Sequence, residues 1–355
     1  LTVLGEGGRR LAPPAIPSLL KRRDQVARSG VVMQGSVTSE LDFPRTYREF
    51  VRRFPSDAAC AAYLEQLRWP TEFCCPACGA LGVPWRQTRG RLVCPTCRHQ
   101  TSVTAGTILD KTRTPLTTWF EAAWHLTTAK NGLSAKTLER TLGTSYRTAW
   151  ALLQRYRVAM VRSERERLSG AVEVDETLVG GIAPGGTCGR GSSKAVVVIA
   201  VEVRQPRGFG RLRMRHIPDA SGASLEAFVR DVIAQGATVR TDGWSGYNHL
   251  AGQGYAHECT VLASSGDPAH VAMPGVHRVA ALLKRWILGT HQGSVSPAHL
   301  QSYLEEFTFR FNRRSSRSRG LVFRRLMEQA VATGPLTEAE LTFGYDWSRN
   351  RERRS

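Results

Sequence analysis

The stretch Val172-Glu173-Val174-Asp175-Glu176-Thr177 alternates apolar and polar side chains and runs up to a Gly180-Gly181 pair. A period of two predicts a half-buried strand, and a carboxylate at the exposed end of such a strand can meet a cation without being buried unpaired. Val239-Arg240-Thr241-Asp242-Gly243 repeats the pattern. Two aspartates delivered by two separate strands constrain the fold strongly, because those strands must converge in one sheet for the carboxylates to act together. Farther on, His277 and Lys284 lie seven residues apart, two helical turns and therefore one face, within a helix expected over 276–288. Asp175, Asp242 and His277 are thus candidate ligands for divalent metal.

The surrounding periodicity fills in that sheet. Strands are expected at 172–179, 195–203, 211–217, 237–241 and 258–263, with helices at 222–235, after Trp244, at 276–288 and at 297–313. Three strands, a helix, a strand, a short helix, a strand and closing helices make a mixed α/β sheet. The unbroken apolar run 195–201 reads as a strand buried on both faces. The loop Ala183 to Lys194 is rich in glycine and basic at Arg190 and Lys194, and reads equally as a DNA-contacting loop or as a plain hairpin connection. Glu173 and Glu176 flank Asp175 and read either as groups that support it from behind or, by preference, as surface glutamates.

Upstream, the dominant signal is Cys75-Pro-Ala-Cys78, a fifteen-residue spacer, then Cys94-Pro-Thr-Cys97. Two such knuckles put four thiolates around one tetrahedral zinc, on tight turns joined by short strands. Four protein ligands leave no open position, so the zinc is structural. Cys74 reads as a bystander. Arg86, Arg89, Arg91, Arg98 and His99 surround the knuckles, where they either contact phosphate or are simply solvated. A redox role fits poorly, since one Cys-x-x-Cys would suffice and neither lies in a βαβ context.

Helical spacing from Thr46 to Leu67 predicts two short helices parted at Pro55-Ser56-Asp57, with Ser56 or Asp57 as cap. Another helix opens at Pro115 and buries Trp119, Phe120, Ala123 and Trp124. Ser134 to Leu142, Gly143-Thr144-Ser145 and Tyr146 to Met160 then read as helix, turn, helix. In a helix-turn-helix, Tyr146 and Arg147 would stand at the start of the second helix, where base edges are reached.

Charge narrows the partner. The 355 residues hold 49 Lys+Arg against 30 Asp+Glu, a net charge of +19. No apolar run of about 18 residues exists to span a bilayer, so the excess points to nucleic acid rather than membrane. Eight cysteines, five of them crowded at or beside metal-ligand spacing, together with the lack of a signal-peptide pattern, argue for a reducing, cytoplasmic setting. Residues 1–38 are rich in Gly, Pro, Arg and Ser and show no sustained hydrophobic period. They read as disordered or as translated upstream sequence with Met33 a candidate start, the alternative being a basic arm along a DNA groove.

Taken together, these motifs resemble an insertion-sequence transposase of the ISXO-like group, in the larger class of DDE transposases. The residues that carry the resemblance are the four cysteines, Val174 to Gly181, Thr241-Asp242-Gly243-Trp244-Ser245-Gly246-Tyr247, His277 to Arg285, and His299 to Arg314. The resemblance implies an α/β, ribonuclease H-like mixed-sheet catalytic domain, preceded by a zinc ribbon and a helix-turn-helix-like helical domain. The expected partition is an extension at 1–42, helices at 43–72, the ribbon at 73–104 and the helical region at 105–168. The catalytic domain follows at 169–325 and a basic tail at 326–355.

The resemblance also implies catalytic Asp175, Asp242, His277 and Lys284, with two Mg²⁺ or Mn²⁺ ions beside the structural Zn²⁺. The group's usual third ligand is a glutamate, which falls here on His277. A neutral imidazole can ligate a divalent ion there and suits Mn²⁺ better than Mg²⁺. Double-stranded DNA is the implied partner, as terminal inverted repeats and target, contacted by Tyr146, Arg147, Arg190, Lys194, Lys284, Arg285, Arg310, Arg313 and Arg314. Holding two ends implies at least a dimer on DNA, in the nucleoid. A non-catalytic DNA-binding protein derived from such an enzyme, and a nuclease that cuts without joining, are the rival readings.

Overall fold

The computed structural model describes residues 43–162, 165–180, 194–204, 208–260, 273–293 and 295–347. The expectations for residues 1–38, for Arg190 and for most of the loop before Lys194 lie outside the described residues. The chain forms two compact units, one containing Glu72–Thr101 and the other Phe43–Thr71 with the chain from Ser102 onward.

The smaller unit is two short sheets. β1 (Phe73–Cys74) pairs antiparallel with β2 (Leu81–Gly82), and β3 (Trp85–Gln87), β4 (Arg91–Val93) and β5 (Gln100–Thr101) form an antiparallel meander. Each Cys-Pro-x-Cys turn ends on a left-handed residue, Gly79 at φ 73° and Arg98 at φ 61°. The glycine meets that requirement freely. Arg98 meets it as a side chain laid over the Trp85 ring, 4.2 Å from its centroid.

In the larger unit, α1 (Tyr47–Arg53) and α2 (Asp57–Arg68) are capped by Thr46 and Ser56. Asp57 is used elsewhere: its Oδ1 accepts from the Thr117 backbone N–H at 2.9 Å and so caps α3 (Leu116–Thr128), whose own Pro115 offers no capping side chain. α4 (Ala135–Leu142) ends on Gly143 at φ 61°, and Ser145 caps α5 (Tyr146–Ala159).

The large sheet follows in the order β10-β9-β6-β7-β8. β6 (Ala171–Val179), β7 (Ala195–Val203) and β8 (Phe209–Ile217) are antiparallel neighbours, then α6 (Gly222–Val232) crosses to β9 (Thr238–Asp242) and β10 (Ala256–Thr260), which run parallel to β6. The last strand starts two residues before its expected position because its register opposite β9 begins at Ala256 facing Thr238.

Both faces of this sheet are covered. Val172, Val174, Val198 and Val239 pack with Leu225, Phe228 and Val229 of α6. On the other face, Val197, Ile199 and Val201 pack with α7 (Pro274–His291) and α8 (Pro297–Asn312).

The expected basic tail is corrected by the structure. α9 (Arg319–Ala332) returns to α1, α2 and α3, and its Phe323, Leu326, Met327 and Ala330 are fully buried. The Phe323 ring lies 5.6 Å from Phe50 and 5.8 Å from Trp124. α10 (Glu338–Phe343) follows, opened by a reciprocal cap between Thr337 and Glu340 and anchored by buried Leu341. Arginines at both ends of this stretch obscure an apolar stripe at helical spacing.

Candidate metal centres and nucleic-acid interface

The four ribbon cysteines converge. Their sulfurs all lie within 4.8 Å of one another, with Cys75 to Cys97 at 3.6 Å and Cys78 to Cys94 at 3.8 Å. A zinc–sulfur tetrahedron with bonds of about 2.3 Å has edges of about 3.8 Å, so the donor set fits zinc. The crowding also distorts the thiols' acidity. The Cys97 backbone N–H draws Cys94 down to about 6. Although the Ala80 amide favours its thiolate, Cys78 is pushed up to about 12 by neighbouring thiols, Cys97 foremost. Four thiolates at this spacing need a cation. Cys74 stands outside the group, its Sγ directed at the Gly79 carbonyl.

The acidic site is assembled differently. Glu173 pairs with Arg240 across β6 and β9, and Asp175 and Asp242 each stand two residues beyond that pair. Val172, Val174 and Val239 face α6, so by alternation Glu173, Asp175 and Asp242 face α7. Asp175 Oδ1 accepts from the Glu176 N–H at 2.8 Å, and Asp242 Oδ1 accepts from the Trp244 N–H at 3.1 Å. Tyr247, buried behind them, donates to Glu176 Oε2 at 3.0 Å. Its phenol is held well above the usual value by burial first, then by the negative charges of Glu176, Asp175 and Asp242.

Glu173 corrects the reading of a surface glutamate. It is 2% exposed, and its Oε2 accepts from the backbone N–H groups of Gly275 at 2.7 Å and Val276 at 3.0 Å, at the start of α7. Burial raises its carboxyl, against the pull of those two amides and of Arg240. His277 follows immediately, half-buried in the first turn of α7, with Lys284 and Arg285 exposed two turns on. Among the described residues, the four cysteines are the only set of three or more His, Cys, Asp or Glu ligand atoms gathered within 4.8 Å, and Asp175, Asp242 and His277 are not drawn together that tightly.

The residues expected to contact DNA divide into two groups. Tyr146 is 52% exposed at the start of α5, and Arg147 is exposed beside it in a surface ion pair with Glu338 of α10. Lys194 is half-buried just before β7. Arg310 and Arg313 are corrected, because their largely buried guanidinium groups serve the fold, whereas Arg314 makes contacts within the fold and remains exposed. Arg310 donates to the carbonyls of Leu126 at 2.6 Å, Lys130 at 3.2 Å and Ala129, closing the C-terminal end of α3.

Arg313 lies 3.8 Å over the Phe309 ring, and burial draws it down to about 10. Arg314 lies 4.0 Å over Phe311 and donates to the Phe209 and Gly210 carbonyls, fastening the end of α8 to β8. The aromatic–arginine interleaving of Phe309-Arg310-Phe311-Asn312-Arg313-Arg314 is the sequence signal for this internal use.

A cysteine-rich zinc unit followed by a mixed sheet with aspartates on two adjacent strands defines a transposase-type architecture. Residues 55–100 match the transposase zinc-ribbon domain, and residues 167–312 match the ISXO2-like transposase domain. The chain is 30% identical over 285 residues to an uncharacterized protein in transposable element ISH50 of Halobacterium salinarum, a match covering 73% of this chain and 92% of that relative. This chain belongs to the ISXO2-like transposase family, as the sequence motifs led us to expect. Among the described residues no helix is long and apolar enough to cross a membrane.

Proposed function

We propose that the protein binds the terminal inverted repeats of an insertion sequence and catalyses metal-dependent DNA strand cleavage and strand transfer. The observation that carries this reading is the placement of Asp175 and Asp242 at one level of one sheet face, with the His277 end of α7 seated on that face through Glu173. The strand order, three antiparallel strands followed by two parallel ones, supports a ribonuclease H-like domain. Asp175, Asp242 and His277 would hold two Mg²⁺ or Mn²⁺ ions, which when bound activate the attacking oxygen and stabilise the leaving one. Water first displaces the 3′ oxygen at the element's end. The freed 3′ hydroxyl then attacks a phosphodiester of target DNA, so that one bond forms as one breaks.

Lys284, exposed on the same α7 stripe as His277, holds a phosphate near the cleaved end. Arg285 and Lys194 contact backbone beside it. α4 and α5 act as a helix-turn-helix in which Tyr146 and Arg147 reach base edges, and the zinc ribbon adds backbone contacts. Two ends are held by at least two protomers, on nucleoid DNA in the cytoplasm.

Asp175→Ala tests this reading on DNA containing the element's ends. Cleavage is expected to vanish while the mobility shift persists. Retained cleavage would remove the aspartate pair from the chemistry.

A further inference from the structure

α7 begins without a cap of its own. Met273 precedes it with no capping side chain, and Pro274 at its first position has no N–H to offer. The next two amides, Gly275 and Val276, instead point into the core of the protein. There they meet Glu173, a residue about a hundred positions earlier in the chain, whose single oxygen Oε2 accepts both.

A carboxylate at a helix N-terminus is stabilised by the unpaired amides and by the helix dipole. The approach is as close as the backbone allows. A Cβ on Gly275 would stand 2.8 Å from Glu173 Oε2, 2.9 Å from Val201 Cγ1 and 3.1 Å from Phe209 Cε1, so only glycine lets the helix end sit this low on the sheet.

Two residues beyond Glu173 on the same strand face is Asp175, and one residue beyond Val276 is His277. One hydrogen-bonded junction therefore sets the height and rotation of α7 against the strand that carries the first aspartate. We propose that Glu173 is a positioning residue for phosphodiester transfer, seating the N-terminus of α7 on β6 so that His277 and Lys284 are held over the face that carries Asp175 and Asp242. It touches neither DNA nor metal. The inference rests on the strand-transfer reading above and extends it to the residue that aligns the two halves of the site.

The test uses the full-length protein with its zinc. Glu173→Ala removes the acceptor, Glu173→Gln keeps an acceptor oxygen of the same reach without the charge, and Gly275→Ala pushes against the same carboxylate from the helix side. The Mn²⁺ concentration giving half-maximal cleavage should rise about tenfold or more in Glu173→Ala and Gly275→Ala, as for other residues that orient a ligand, and less in Glu173→Gln. In a His277→Ala background, adding Glu173→Ala should change the Mn²⁺ affinity, read by titration calorimetry and without any cleavage, less than about twofold, because the residue acts through α7.

Amide hydrogen exchange at Gly275 and Val276 should accelerate in Glu173→Ala, and that measurement requires no activity. A lowered melting temperature with an unchanged Mn²⁺ requirement would reduce Glu173 to a structural cap and overturn the proposal, as would effects that multiply fully in the double variant. If wild-type protein cuts no DNA in either metal while exchange still accelerates in Glu173→Ala, the strand-transfer reading fails and the junction remains only a docking contact. Unchanged exchange with intact wild-type cleavage would sink the positioning role alone.

Discussion

The zinc ribbon and the acidic site proposed for catalysis are built on opposite plans. The zinc ribbon draws all four ligands from residues 75–97, on two knuckles with the same backbone turn, and closes around its ion. The acidic site draws Asp175 from β6, Asp242 from β9 and His277 from α7, each placed by a different element of the larger unit. A local, closed site is encoded by spacing, and its metal is a condition of folding. A dispersed site is encoded by topology, so the fold exists first and the ligands are presented on it. Losing one ligand should therefore have opposite consequences in the two places.

The largest effect is expected in the ribbon. Cys94→Ala should release the zinc, whose binding contributes roughly 10–16 kcal/mol in small zinc domains, and unfold Glu72–Thr101 while leaving the thermal transition of the larger unit in place. Metal analysis and calorimetry check this directly, and a footprint on the element's ends that survives verified zinc loss would detach the ribbon from DNA recognition. Next is Phe323→Ala, which empties the contact between α9 and the rings of Phe50, Phe54, Phe120 and Trp124. It should cost about 3–5 kcal/mol in the larger unit without touching the ribbon. A denaturant midpoint that does not move would mean that α9 merely rests on the helices.

How much of the molecule is legible in its sequence depends on the same distinction. The four cysteines and the aspartates of β6 and β9 can be named from the sequence alone, since spacing and period-two alternation are local signals. Asp175 nevertheless stands in the middle of β6 rather than at the exposed strand end expected of it, and only Asp242 ends its strand. Glu173 escapes that reading because alternation separates the faces of a strand without saying whether the polar face is covered, and α7 covers it. Arg310 escapes it because phosphate oxygens and the last carbonyls of a helix attract the same guanidinium. Only the packing of α8 against the end of α3 distinguishes them. The C-terminal helix is hidden for a similar reason: Val322, Phe323, Leu326, Met327 and Ala330 form a buried stripe inside an arginine-rich stretch.

Smaller effects sharpen the contrast. His277→Glu should preserve cleavage and shift the preference from Mn²⁺ toward Mg²⁺, since it adds an oxygen ligand and a negative charge on the presented face. An inactive, well-folded His277→Glu beside a fully active His277→Ala would mean that the residue is not a ligand.

The smallest effect concerns how α7 is anchored at its other end. His291 is drawn down to about 4, first by burial and then by the charge of Arg157, while the nearby buried Arg157–Glu306 pair at 2.8 Å joins α5 to α8. An imidazole held neutral in this way contributes stability that is complete above its unfolded value of about 6.5 and is lost as pH falls toward 4. Melting temperatures of wild type and His291→Phe, compared from pH 7 to pH 4, should show the wild type losing more. Parallel curves would indicate that His291 titrates normally.

Asp175, Asp242 and His277, brought from three separate elements, are proposed to form one phosphodiester-transfer site. The direct measurement is a combined cleavage and joining assay on DNA bearing the element's ends, run with wild type and Asp242→Ala in Mg²⁺ and in Mn²⁺. Wild type should nick at the ends and join the freed 3′ hydroxyl to a second DNA, while Asp242→Ala binds the same ends and does neither. Wild-type protein that binds the ends tightly yet cuts in neither metal would contradict a shared catalytic site and leave a DNA-binding protein on a transposase fold.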